Sequence, residues 1–167
     1  MMKVFGLAGW SGSGKTTLLL GVLPLLARRG IRASTMKHAH HAFDVDKPGK
    51  DSYRHREAGA TEVMVASTQR WALMHELRDE AEPSVEELIA RMTPVDLLLI
   101  EGFKRHSHPK LEIHRPALGK PALWPDDPDI VAVASDAAPD GLTLPLLPLD
   151  DHEAICAFIL RQVGLGA

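Results

Sequence analysis

Gly9-Trp10-Ser11-Gly12-Ser13-Gly14-Lys15-Thr16-Thr17, entered from the short apolar run Val4-Phe5-Gly6-Leu7-Ala8, decides the fold. Residues 9–16 satisfy G-x-x-x-x-G-K-[ST], a pattern whose glycines let the backbone wrap until successive amides point inward at phosphate oxygens. Val4 to Ala8 suits a strand buried on both faces, and Thr16 to Arg29 suits a helix closed by Gly30. Helix N-termini carry partial positive charge, so the helix adds to the same anion site. Ser11, Gly12, Ser13, Gly14, Lys15, Thr16 and Thr17 are therefore expected to bind a nucleoside triphosphate. In that arrangement Lys15 bridges the outer phosphates and Thr16 offers a hydroxyl to Mg²⁺. Trp10 either packs over a nucleotide or anchors the loop.

Outward from the loop, Ile31 to Met36 reads as a second strand, giving a β-loop-α-β unit with parallel strands. Pro24 lacks the donor that would reach Leu20, so a kink or an early helix end is expected there. Residues 37–51 read as a long polar loop, after which Asp51 or Ser52 caps a short helix through Glu57. Thr61 to Ser67 and Trp71 to Leu77 read as a hairpin turned by Thr68-Gln69-Arg70. Ser84 and Glu87 have capping-box spacing and start a helix reaching about Met92. Val95 to Ile100, Leu111 to His114, Ile130 to Ala134 and Leu144 to Leu147 complete the strands. Asp151 caps a last helix whose Ile155, Phe158, Ile159 and Val163 share one face, with Cys156 read as a small buried residue. The fold class is α/β of the P-loop NTPase type: a mainly parallel sheet with helices on both faces and a small hairpin extension at about 61–77. Residues 1–167 are expected to form one nucleotide-binding domain.

Composition narrows the classes. The 167 residues are 45% apolar and 25% charged, the balance of a globular protein. Nineteen Lys and Arg against 22 Asp and Glu leave a net charge of −3, which argues against generic attraction to nucleic acid. One cysteine cannot form an internal disulfide. The longest apolar stretch, Leu18 to Ala27, is about half a membrane span, and no signal peptide is evident. A cytoplasmic location with no membrane contact is expected.

Two further segments carry chemistry. Val95-Asp96-Leu97-Leu98-Leu99-Ile100-Glu101 is an apolar strand ending in a carboxylate, the arrangement of a Walker B strand. Glu101 stands at the end where ligands gather in open α/β sheets, so it is the expected Mg²⁺ partner, with Asp96 a strand-start residue. Residues 37–52 hold His38, His40, His41, Asp44, Asp46 and Lys50 directly after the second strand, so the segment should lie beside the loop. Its groups can serve Mg²⁺, phosphates or a second ligand; three histidines also suit a transition metal, though structural zinc usually takes four defined ligands. Lys104, Arg105, His106, His108, Lys110, His114, Arg115 and Lys120 form a local basic cluster that suits a phosphorylated small molecule or an acidic partner. Trp71 and Trp124 read as core or dimer contacts. The guanine signature N-K-x-D is absent. Asp136, just past the Ile130 strand, either accepts hydrogen bonds from guanine N1 and N2 or simply starts a turn.

Four segments in order resemble the molybdopterin-guanine dinucleotide biosynthesis protein B (MobB) family: the loop at 9–17, KHAHHAFDVDKPGKDSYRHREAGA at 37–60, LLLIEGFKRH at 97–106 and PKLEIHR at 109–115. The resemblance implies a GTP-binding accessory protein, with at most slow Mg²⁺-dependent hydrolysis, that assists attachment of GMP to molybdopterin. In such a pathway the nucleotidyl transfer belongs to a partner enzyme, MobA. Molybdopterin or its guanine dinucleotide is the implied second ligand, and a homodimer with a hairpin contribution is the implied assembly. Carried over by position, Thr16, Asp46 and Glu101 neighbour the metal. His38, His41, Lys50, Lys104, Arg105, Lys110 and Arg115 are the candidate surface for the second ligand or partner. No residue stands out as a base for water, although Asp46 or Glu101 can arrange one. The alternatives are a small-molecule kinase on the same loop and a metal-delivery GTPase using the 38–41 histidines.

Overall fold

The computed structural model of the chain describes residues 2–39, 43–103 and 106–166. Two compact units form, Met1–His38 with Met92–Ala167, and Ala39–Arg91.

The larger unit is built on six parallel strands in the order β2-β5-β1-β6-β7-β8. They are β1 (Lys3–Ala8), β2 (Ala33–Lys37), β5 (Leu97–Glu101), β6 (Lys110–His114), β7 (Ile130–Ser135) and β8 (Leu146–Pro148). Strand side chains alternate between faces. Phe5, Leu7, Leu97, Leu99, Leu111, Ile113, Ala132 and Ala134 line one face and are buried. Two helices supply the other half of that core: α1 (Lys15–Arg28) through Leu18, Val22, Leu25 and Leu26, and α4 (His152–Gln162) through Ile155, Phe158 and Ile159. Each such side chain adds about 1.5–3 kcal/mol when fully buried, so this layer dominates the unit's stability. Arg28 and Arg29 meet Glu153 at 3.2 and 2.6 Å, but the exposure of these groups makes the pairs minor by comparison.

Pro24 does not end α1, which continues to Arg28. The carbonyl that loses its donor belongs to Leu20, an exposed residue, while the buried positions Leu25 and Leu26 lie beyond the proline and hold the helix to the sheet. Asp151 caps α4 as expected, its Oδ1 accepting from Ala154 N at 2.9 Å. Cys156 is buried, and burial pushes its thiol pKa up. β8 is only three residues long, follows Pro145, ends in Pro148, and forms one edge of the sheet.

The opposite face of β6 is polar yet closed. Lys110, Glu112 and His114 all point there and all are buried. Glu112 accepts from the backbone N–H groups of Leu123 and Trp124, both at 2.8 Å, which pins the proline-rich segment to the sheet. Lys110 Nζ sits 3.1 Å from Asp127 and 3.3 Å from Asp129. Between β5 and β6 the chain must pass β1, and it does so where β1 carries no side chain. His108 lies on Gly6, and a Cβ there would meet His108 Nε2 and approach Cδ2 to 2.8 Å. Burial, reinforced by the charges of Lys110 and His106, lowers the His108 pKa from 6.5 to about 4.

The smaller unit contains α2 (Asp51–Glu57), the antiparallel pair β3 (Glu62–Ala66) and β4 (Trp71–His75), and α3 (Val85–Ala90). Ser84 forms the full capping box with Glu87. α2 differs from expectation at its start: Asp51 is its first helical residue, and Lys50 occupies the cap position without a side-chain bond. Alternation on the hairpin places Met64, Ala66, Trp71 and Leu73 on one face, where Met64, Trp71 and Leu73 are exposed. Trp71 is 65% exposed and is not a core residue of the chain. No helix among the described residues is long and apolar enough to cross a membrane.

Candidate functional site

The C-terminal edge of the sheet gathers the candidate residues of the larger unit. β1 runs into the loop at 9–14, flanked by β5, which ends at Glu101, and by β6, which leads into Arg115. Gly9, Gly12 and Gly14 all have positive φ (147°, 80° and 103°), conformations that L side chains rarely adopt. Gly9 is also needed for space, because a Cβ there would stand 2.6 Å from both Ile113 O and Ser13 Oγ. Gly14 is the N-cap of α1 and makes no side-chain cap bond, so the first-turn amides of α1 are offered to whatever binds in the loop.

Lys15 Nζ donates to the carbonyls of Gly9 and Trp10 at 2.8 and 2.9 Å. This folds the ammonium back across the loop. Ser13 Oγ is buried without a hydrogen-bond partner among the described residues, an unusual state for a hydroxyl. Curled glycine backbone, a lysine arched over it, an orphan hydroxyl and the helix terminus together fit a triphosphate tail. Thr16 and Thr17 are exposed in the first turn of α1. Trp10 anchors the loop: its Nε1 donates to Pro121 O at 2.8 Å. Lys120 Nζ lies 5.7 Å from the Trp10 ring centroid.

Glu101 stands at the end of β5, largely shielded, with Lys37 Nζ 3.7 Å away on the neighbouring strand. Its backbone carbonyl accepts from His38 N at 2.9 Å. The His38 ring packs against Phe103 at 4.7 Å, and Gly102 is required there because a Cβ would come within 2.8 Å of His38 Cβ. Asp96, at the opposite end of the strand region, accepts from Arg32 N at 2.8 Å, in keeping with a strand-start role. Asp136, just beyond β7, pairs with Arg115 Nη1 at 3.0 Å, and Arg115 Nε donates to Ser13 O at 3.0 Å.

The basic cluster of the sequence does not survive as one exposed surface. Lys110 keeps only 3% of its side chain in contact with solvent and is neutralised by Asp127 and Asp129; His108 and His114 are buried. His106 Nδ1 lies 2.7 Å from His108 Nδ1. Lys120 remains exposed. Lys104, Arg105, His40 and His41 lie outside the described residues.

Asp46 belongs to the smaller unit. Its Oδ1 accepts from Arg56 Nη2 at 3.0 Å, and Arg56 also meets Asp44 at 2.7 Å and Glu76 at 3.6 Å. The Asp46 side chain is 5% exposed and its Oδ2 has no hydrogen-bond partner among the described residues. Lys50 is exposed beside α2. Among the described residues no group of three or more His, Cys, Asp or Glu side chains converges as a metal site.

Sequence reasoning missed the two connections that tie down the loop, Trp10 to Pro121 and Arg115 to Ser13. It also missed Glu112 as the post beneath residues 123–124. The available signal was the alternation Lys110, Glu112, His114 ahead of four prolines, a pattern of inward polar groups awaiting a covering segment.

Comparison with known proteins agrees with this fold. The family model described as "Molybdopterin guanine dinucleotide synthesis protein B" matches residues 4–136. A molybdopterin-guanine dinucleotide biosynthesis adapter protein of Escherichia coli is 46% identical over 164 residues, covering 96% of this chain and 93% of the relative. Its counterpart in Haemophilus influenzae is 44% identical over 138 residues, covering 81% and 75%. A crystal structure of molybdopterin-guanine biosynthesis protein B superposes with a TM-score of 0.75 at 26% identity, covering 95% of this chain and 98% of that one.

Proposed function

This chain belongs to the molybdopterin guanine dinucleotide synthesis protein B family, and on that premise we propose that it is a GTP-binding adapter in molybdenum cofactor maturation. The observation that carries the reading is the loop at 9–15. It retains curled glycines, the arched Lys15 and the partnerless Ser13 hydroxyl in a chain alignable over nearly its full length with a relative named as an adapter. In this reading Ser11 to Thr17 hold the phosphate tail, and Lys15 exchanges its two loop carbonyls for phosphate oxygens. Thr16 and Glu101 attend Mg²⁺, which when bound offsets phosphate charge. The shielded Glu101 carboxylate suits that role because it keeps acceptor capacity beyond its ion pair with Lys37. Asp136 accepts from the base. Hydrolysis in this reading is slow at most, as the family resemblance implies.

In this reading the chemistry belongs to MobA, molybdopterin or its guanine dinucleotide is the second ligand, and the setting is the cytoplasm. His38, Lys50 and Arg115 remain candidates for that contact, as do His41, Lys104 and Arg105. The exposed face of Met64, Trp71 and Leu73 supports a homodimer, since a contiguous apolar patch on a hairpin is a common site of self-association.

A competition titration of GTP, ATP and molybdopterin against the purified chain and its Lys15→Ala variant tests the nucleotide half. GTP should bind the wild type and not the variant. Unchanged affinity in the variant contradicts the loop assignment. The adapter half is tested by following formation of molybdopterin guanine dinucleotide by MobA with and without the protein; an unaltered rate and yield would refute it.

A further inference from the structure

Arg115 joins two parts of the site that the reading above treats separately. It is the first residue after β6, as Asp136 is the first after β7, and the pairing of His114 with Ser135 sets them side by side. Arg115 Nε donates to Ser13 O at 3.0 Å, and its Nη1 reaches Asp136 Oδ2 at 3.0 Å. The guanidinium lies against the loop, 3.5 Å from where a Gly14 Cβ would be. A planar guanidinium presents its donors in a rigid fork, so holding two acceptors fixes their separation and relative orientation. A carboxylate half in solvent, as Asp136 is, would otherwise turn freely.

We propose that Arg115 is the positioning residue for base recognition: by bridging the Ser13 carbonyl to Asp136, it sets the carboxylate at a fixed reach from the phosphate cradle. A purine that presents N–H donors at N1 and N2 is then met by the Asp136 carboxylate while its phosphates occupy the loop. A purine with a bare acceptor at N1 is not. The inference rests on the reading that residues 9–17 bind a nucleoside triphosphate and that Asp136 faces its base. Lysine in place of Arg115 keeps the charge but reaches only one acceptor with defined geometry.

The test measures dissociation constants for GTP, ATP and tripolyphosphate, the last a probe with no base, using the wild type, Arg115→Ala, Arg115→Lys, Asp136→Asn and the Arg115→Ala/Asp136→Asn pair. The wild type should prefer GTP by about tenfold or more, the scale of one charge-assisted hydrogen bond. Arg115→Ala and Asp136→Asn should each bring that preference close to unity, and the double variant should fall no further. Arg115→Lys should not restore it, and in every variant tripolyphosphate affinity should fall by less than GTP affinity, since that probe has no base to be read. A wild type that does not distinguish GTP from ATP overturns the base reading and this inference with it. A discriminating wild type whose preference survives Arg115→Ala, or is fully restored by lysine, overturns the inference alone. So does a loss of tripolyphosphate affinity as large as the loss of GTP affinity.

Discussion

Acid should destabilise this protein through His108. The ring is buried over Gly6 beside Lys110, His106 and Asp129, and its pKa is lowered from 6.5 to about 4. The unfolded chain takes up the proton near pH 6.5, whereas the folded chain resists until about pH 4. Between those values the unfolded state binds more protons, so stability rises with pH and is lost as pH falls. The two proton-binding curves differ by about 2 kcal/mol at about pH 5 and by about 3 kcal/mol below about pH 4. Other groups titrate in the same range, so the useful quantity is the wild type minus a His108→Gln variant, measured by urea unfolding at about pH 7 and about pH 5. With a urea slope of about 2 kcal/mol per molar, the gap between the two midpoints should move by about 1 M, against the wild type at low pH. A gap that stays constant across pH would show that His108 protonates with equal ease in both states, and the burial argument would be wrong.

Gly6→Ala should cost about 1–3 kcal/mol through overlap with the His108 ring, seen as a lowered melting temperature, and a second change of His108→Ala should recover part of it. No recovery would mean that His108 is not what Gly6 accommodates. Glu112→Gln leaves an amide facing two backbone N–H donors and should cost about 1–3 kcal/mol, with faster amide exchange at Leu123 and Trp124. Exchange unchanged at those two positions would refute the pinning role. Trp71→Glu should shift self-association toward monomer in light scattering without lowering the melting temperature, because the side chain is 65% exposed; a dimer that persists would free the hairpin face of that role.

The order of elements could be read from local chemistry. The glycine loop at 9–14, the Ser84 capping box, the Ser67–Arg70 turn and the Asp151 cap each depend on residues within a few positions of one another, and each stands where expected. β6 was harder because its apolar residues are only Leu111 and Ile113. Its charged residues suggest a solvated strand, yet their partners lie 11 to 19 residues downstream and meet them only when the chain folds. Inserting β5 between β1 and β2 is likewise a long-range choice that no window of sequence expresses. Pro24 does not bring the early end because the backbone bond it removes is local, whereas the packing of Leu25 and Leu26 that carries the helix past it is not. At the site, residue types were visible but their connections were not. Asp136 could be suspected of reading a base, but nothing in the sequence linked it through Arg115 to the loop.

The terminal strand β8 bears on how copies of the chain meet. Each strand end of a sheet margin is an invitation to polymerise through backbone pairing, and fibres grow by accepting it. Here that margin is three residues long, preceded by Pro145 and ending in Pro148, whose nitrogens have no hydrogen to give. Growth by ribbon-to-ribbon addition is therefore blunted along this side, and a crowded solution of the protein has one less route to precipitate.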